Sequence, residues 1–102
     1  MLDCNISIRG SNELHVDGII NFDNAADIMK LGCQFITKMA MVNINLSNLK
    51  HSDSSGLAVI SAWVRFSLQN KKAIKIHNMP KFLSDLSKVS NLEQILPIMV
   101  NA

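Results

Sequence analysis

Four short stretches of this chain alternate apolar with polar residues, and stretches of helical spacing fall between them. That succession restricts the fold more than any single residue does. Leu2, Cys4, Ile6 and Ile8 alternate with Asp3, Asn5, Ser7 and Arg9, the period of two that turns one strand face to a core and the other to water. Gly10-Ser11-Asn12 turns the chain, and Leu14 and Val16 alternate with Glu13, His15 and Asp17 to complete an opening hairpin. Ala25, Ile28, Gly32, Phe35, Ile36 and Met39 recur at helical spacing. They predict a helix over 23–39, with Asn21 or Asp23 to cap it. Residues 41–46 read as a strand, 54–69 as a helix and 73–77 as a strand. Asn70-Lys71-Lys72 brings positive charge to the end of the second helix. Pro80 opens a last helix with Phe82, Leu83, Leu86 and Val89 on one side, and the tail 92–100 is apolar, with Pro97 limiting any helix there.

Strand, strand, helix, strand, helix, strand, helix implies parallel neighbours joined by crossovers after the hairpin. The expected fold is α/β: a mixed four- to five-stranded sheet with three to four helices mainly on one face. The length of 102 residues fits one core, so residues 1–102 are read as a single domain.

Composition removes several functions. The charged fraction of 18% is too low for a disordered chain, and the ten Lys and Arg behind a net charge of +2 are scattered. Nucleic-acid binding, which needs a concentrated basic face, is not expected. Apolar runs fall short of the roughly 20 residues that span a bilayer, and the N-terminus lacks the pattern of a signal peptide, so a cytoplasmic protein is expected. Cys4 and Cys33 stand alone in apolar patterns and read as small buried hydrophobes in a reduced compartment. No phosphate loop, metal-ligand spacing or nucleophile elbow is present. The histidines His15, His51 and His77 read as ordinary surface or strand-end residues. The expectation is no enzyme, no cofactor and no metal.

The most informative segment is Asp53-Ser54-Ser55-Gly56, which follows a strand ending at Leu46 and opens the second helix. Asp53 or Ser54 can cap the helix by accepting bonds from its free N–H groups, a contribution of about 1 kcal/mol. Gly56 would let the first turn lie close to the sheet. A serine hydroxyl at an exposed helix N-terminus is also a good place for a phosphoryl group, because the dipole and free N–H groups favour negative charge there.

Asp53-Ser54-Ser55-Gly56-Leu57-Ala58-Val59-Ile60, preceded by the Val42–Leu46 strand and Leu49, resembles the signature of the STAS family, named for sulphate transporters and anti-sigma factor antagonists. The resemblance extends to element order along the whole chain. It implies that Ser54 is the regulatory, phosphorylatable serine. Asp17-Gly18-Ile19 leading into the first helix, and the ending from Leu83 to Pro97, are similar to the MlaB-type members, stand-alone STAS subunits of bacterial phospholipid ABC transporters. The serines at 54 and 55 are nearer to the anti-sigma factor antagonists, since MlaB-type members have Thr and Gly there. The MlaB likeness implies a non-catalytic subunit that binds the transporter's cytoplasmic ATPase and thereby sits at the inner membrane. The alternative it leaves is an antagonist whose partner is an anti-sigma factor.

On a helical wheel Leu57, Ile60, Val64 and Leu68 form one apolar stripe, the expected core face. Val59, Ala62, Trp63 and Phe66 form a second, which either packs sideways on a neighbouring helix or is an exposed partner patch. A small, polar strip of Ser54, Ala58, Ser61 and Arg65 continues from the motif. The candidate partner surface is therefore Asp53, Ser54, Ser55, Ala58, Ser61, Trp63 and Arg65.

Overall fold

The computed structural model describes residues 4–10 and 12–89. Expectations for Leu2, Asp3, Ser11, the tail 92–100 and the side chains of Leu86 and Val89 lie outside the described residues. The elements are β1 (Cys4–Arg9), β2 (Glu13–Ile20), α1 (Ala25–Ile36), β3 (Met41–Asn45), β4 (Leu49–Ser52), α2 (Ser54–Gln69), β5 (Ala73–His77) and α3 (Lys81–Val89).

β1 and β2 form the antiparallel hairpin, with Ile6 opposite Val16 and Ser7 opposite His15. β2, β3 and β5 then pair in parallel, in the order β1-β2-β3-β5. One sheet face carries Leu14, Val16, Val42, Ile44, Ile74 and Ile76, all buried in one core with Ile28, Ile36, Leu57, Ile60, Trp63 and Leu83 of the helices. The other face carries Glu13, His15, Asn43, Asn45 and His77, which bond to one another. His15 Nε2 lies 2.5 Å from Glu13 Oε1, and His77 Nε2 lies 2.9 Å from Asn43 Oδ1.

The strand β4 was not expected. Leu49-Lys50-His51-Ser52 is too short and polar to show alternation, and its strand character comes from its partner. β2 first pairs with β3 through Glu13–His15, then with β4 through Gly18–Ile20. Between the two it is irregular at Gly18–Ile19, where Gly18 has a φ of 111°. Glycine adopts this left-handed backbone without steric cost, and its N–H donates to Asn48 O across the jog.

α1 is shorter than expected. Its N-cap is Asn24, while the Asn21 carboxamide oxygen accepts from the N–H groups of Asp23 and Asn24. Lys72, read as charge for the end of α2, serves α1 instead: its ammonium donates to the carbonyls of Thr37 and Met39, past that helix's end. This places positive charge at a helix C-terminus, where the dipole favours it.

The mouth of helix α2 as candidate functional site

β2 and β4 end side by side, and from their carboxyl ends the chain enters α1 and α2. Asp53 joins the two exits. Its N–H donates to Ile20 O at 3.3 Å, and its carboxylate accepts from the backbone N–H groups of Ser55, at 2.8 Å, and of Phe22. The Ser55 hydroxyl donates to the same carboxylate. That hydroxyl, followed by the two N–H groups and the His51 charge, holds the Asp53 carboxyl below the usual aspartate range, so it is ionised at neutral pH. Asp53 is therefore the helix cap.

The two serines of the motif divide the work. Ser55 is buried and its hydroxyl is committed to Asp53. Ser54 is exposed on the first turn of α2, where an added anion meets the helix's free N–H groups. Gly56 holds this turn against β4. A Cβ there would collide with the Ser52 hydroxyl and lie 2.9 Å from Ser52 Cβ, and that hydroxyl donates to Asp53 O.

The exposed strip of α2 comprises Ser54, Ala58 and Arg65. Ser61, assigned to the same strip, is buried at 8% exposure. Trp63 corrects the sequence reading most sharply. It is fully buried, its indole N–H donates to Met29 O at 3.0 Å, and its ring lies against Gly32 of α1. The second apolar stripe is thus lateral core between α1 and α2, and Trp63 faces no partner. Leu68, placed in the core stripe, is 58% exposed instead.

Sequence reasoning missed Phe22. This residue is 74% exposed in the turn between β2 and α1, beside Ser54 and Ala58. The signal was available: a large apolar side chain set among Asn21, Asp23 and Asn24, where the local pattern predicts polar loop. His15 was also misjudged, since it is 6% exposed at the middle of the sheet. Cys4 is buried as expected, whereas Cys33 is only half-buried. Burial, reinforced by the Asp17 charge, raises the Cys4 thiol to about 11, and burial raises Cys33 as well.

Among the described residues no group of three or more His, Cys, Asp or Glu could hold a metal ion. No described helix is long and apolar enough to cross a membrane.

A five-stranded mixed sheet with three helices on one face is the α/β fold of the anti-sigma factor antagonists. SpoIIAA, an anti-sigma factor antagonist, in its unphosphorylated form superposes with a TM-score of 0.73 at 14% identity, over 97% of this chain and 87% of that one. The phosphorylated form of the Bacillus cell fate determinant SpoIIAA gives 0.71 at 14% identity, over 97% and 90%. A Thermotoga maritima protein assigned to the same antagonists gives 0.73 at 16% identity, over 97% and 86%. At these identities the shared property is the fold. The chain belongs to the STAS family: the family model described as "Mlab, STAS domain" matches residues 4–100. No curated protein sequence matches it.

Proposed function

We propose that this protein is the non-catalytic STAS subunit that binds and regulates the cytoplasmic ATPase of a phospholipid ABC transporter of the Mla type. The observation that carries this reading is the match of residues 4–100 to the MlaB-described member of the STAS models. In this reading the partner meets the mouth of α2 at Asp53, Ser54, Ala58 and Arg65, and the buried Ser55, Ser61 and Trp63 support that surface from beneath. The protein acts in the cytoplasm and reaches the inner membrane through its complex, with no lipid or ATP chemistry of its own.

A second reading rests on the solved structures it resembles, which are antagonists of anti-sigma factors. There the same exposed Ser54 is a switch. Phosphorylation adds about −1.5 to −2 charge, which the helix N-terminus tolerates but a partner surface shaped for a neutral hydroxyl does not.

Affinity purification from the source cell separates the readings: recovery of an ABC ATPase supports the first, and recovery of an anti-sigma factor without an ATPase rejects it. Calorimetry of Ser54→Glu and Ser54→Thr against the recovered partner then tests the surface. The acidic variant should melt like the wild type and bind more weakly, and the threonine variant should bind normally. Equal affinity of all three would leave Ser54 outside the interface.

A further inference from the structure

The strand path β1-β2-β3-β5 ends in two edges, and among the described residues no further strand pairs with either. Such an edge offers a row of unpaired N–H and C=O groups to another chain. The two edges differ in how they would receive a second copy of this protein.

β5 is defended. Lys75 stands at the centre of its five residues, so two copies paired antiparallel about that centre would set Lys75 against Lys75. Like charges directly opposite destabilise a strand pair, and an edge lysine is a common guard against sheet-to-sheet growth.

β1 is permissive. Cys4, Ile6 and Ile8 lie on the core side with Val16 and Leu14, while Asn5, Ser7 and Arg9 lie on the other. Antiparallel pairing of two copies about Ile6 sets Ile6 against Ile6, Cys4 against Ile8 and Asn5 against Ser7. Every apolar residue then meets an apolar one, and the helices of both copies stay on one face of the joined sheet. A slip of one residue would turn one copy's apolar side to the other face.

Two observations on the strand favour this pairing. Ile8 is 37% exposed although Leu14, opposite it in the hairpin, is fully buried, so the apolar layer is open at the β1 edge. Arg9 is exposed and makes no ion pair among the described residues, because Glu13, opposite it in the hairpin, is bonded to His15. By sequence position, pairing about Ile6 brings Asp3 of a second copy opposite Arg9, and symmetry repeats the ion pair. The neighbouring registers that keep the apolar sides together set Arg9 opposite Asn5 or Met1 and lose both ion pairs.

We propose that two copies of this chain join edge to edge through β1, antiparallel about Ile6, into one continuous sheet with five strands from each copy. The same patch serves both copies, so the assembly closes at two. None of its residues belongs to the partner surface at α2, and the dimer stands apart from the function proposed above.

Sedimentation equilibrium of the full chain, from micromolar to millimolar, should show monomer and dimer only. Hydrogen exchange should slow at β1 amides as concentration rises and stay constant at β5. Asp3→Arg and Arg9→Asp should each weaken the dimer about tenfold or more, because each turns two attractions into repulsions. Asp3→Arg combined with Arg9→Asp should restore it. Asn5→Lys alters an exposed side chain; it should melt like the wild type and also weaken the dimer, which covers any loss of folding in the charge variants. A monomer at every concentration, growth beyond the dimer, a dimer indifferent to the single changes, or single changes that the combined one does not rescue would overturn the proposal.

Discussion

Replacing Gly32 with alanine sets two opposed effects against each other. Alanine favours helix over glycine by about 0.5–1 kcal/mol. The new methyl, however, would collide with Cε2, Cζ2 and Nε1 of Trp63. The ring is fully buried and tethered by its N–H to Met29 O, so it cannot withdraw without giving up that bond. Overpacking of this kind costs about 1–3 kcal/mol. The collision prevails, and Gly32→Ala should lose about 1–2 kcal/mol. With a urea slope of about 1–2 kcal/mol per molar, the midpoint should fall by about 1 M. In a Trp63→Leu background the ring is gone, and the same substitution should become neutral or stabilising. Urea titrations of all four proteins, followed by far-ultraviolet circular dichroism because Trp63 is the only tryptophan, measure the coupling. Additive effects, within about 0.5 kcal/mol, would refute the packing of α1 on α2 through this pair.

Trp63→Ala alone should cost about 3–5 kcal/mol, seen as a fall in melting temperature of the free protein; an unchanged melting temperature would return Trp63 to the surface. Gly56→Ala should destabilise the protein by about 1–3 kcal/mol, because the methyl meets Ser52 in β4, and urea denaturation measures it. The Asp53 carboxyl titrates below the ordinary aspartate value in the folded protein. Its contribution is therefore complete above the unfolded value and is lost only as pH falls through the lower folded one. The Ser55 amide resonance, followed in an acid titration, should move below that ordinary value. With its thiol raised to about 11, Cys4 should resist a disulfide reagent at neutral pH until the protein is unfolded, and a fast native reaction would contradict its burial.

Alternation and helical spacing were enough to predict the hairpin, β3, β5 and the helices, because each of these elements announces its own period. β4 has no such pattern; it is a strand because β2 offers a vacant edge beyond β3. Trp63 shows the other limit. A helical wheel treats α2 as lying on a sheet alone, but a second helix lies along its side. The room for the indole comes from Gly32, thirty-one positions earlier in the chain, and no local window contains both. At the candidate site, the Asp53 cap and the exposed Ser54 were readable because a cap is local chemistry. The burial of Ser55 and Ser61 depended on β4 and the neighbouring elements. Phe22 was passed over because its exposure depends on how β2 and α1 are joined, which no periodic pattern reports.

The sheet face that no described helix covers also limits how copies of this protein can meet. Glu13, His15, Asn43 and His77 bond among themselves there, and within that layer the His15 Nδ1 and Asp17 Oδ1 atoms are buried with no hydrogen-bond partner among the described residues. Stacking a second sheet on this layer would strip water from the remaining polar atoms, and each one left unmatched costs about 1–3 kcal/mol. A handful would outweigh the apolar area gained from the exposed Met41 and Ile19. An open sheet is ordinarily an invitation to aggregate, and here it acts as an insulator.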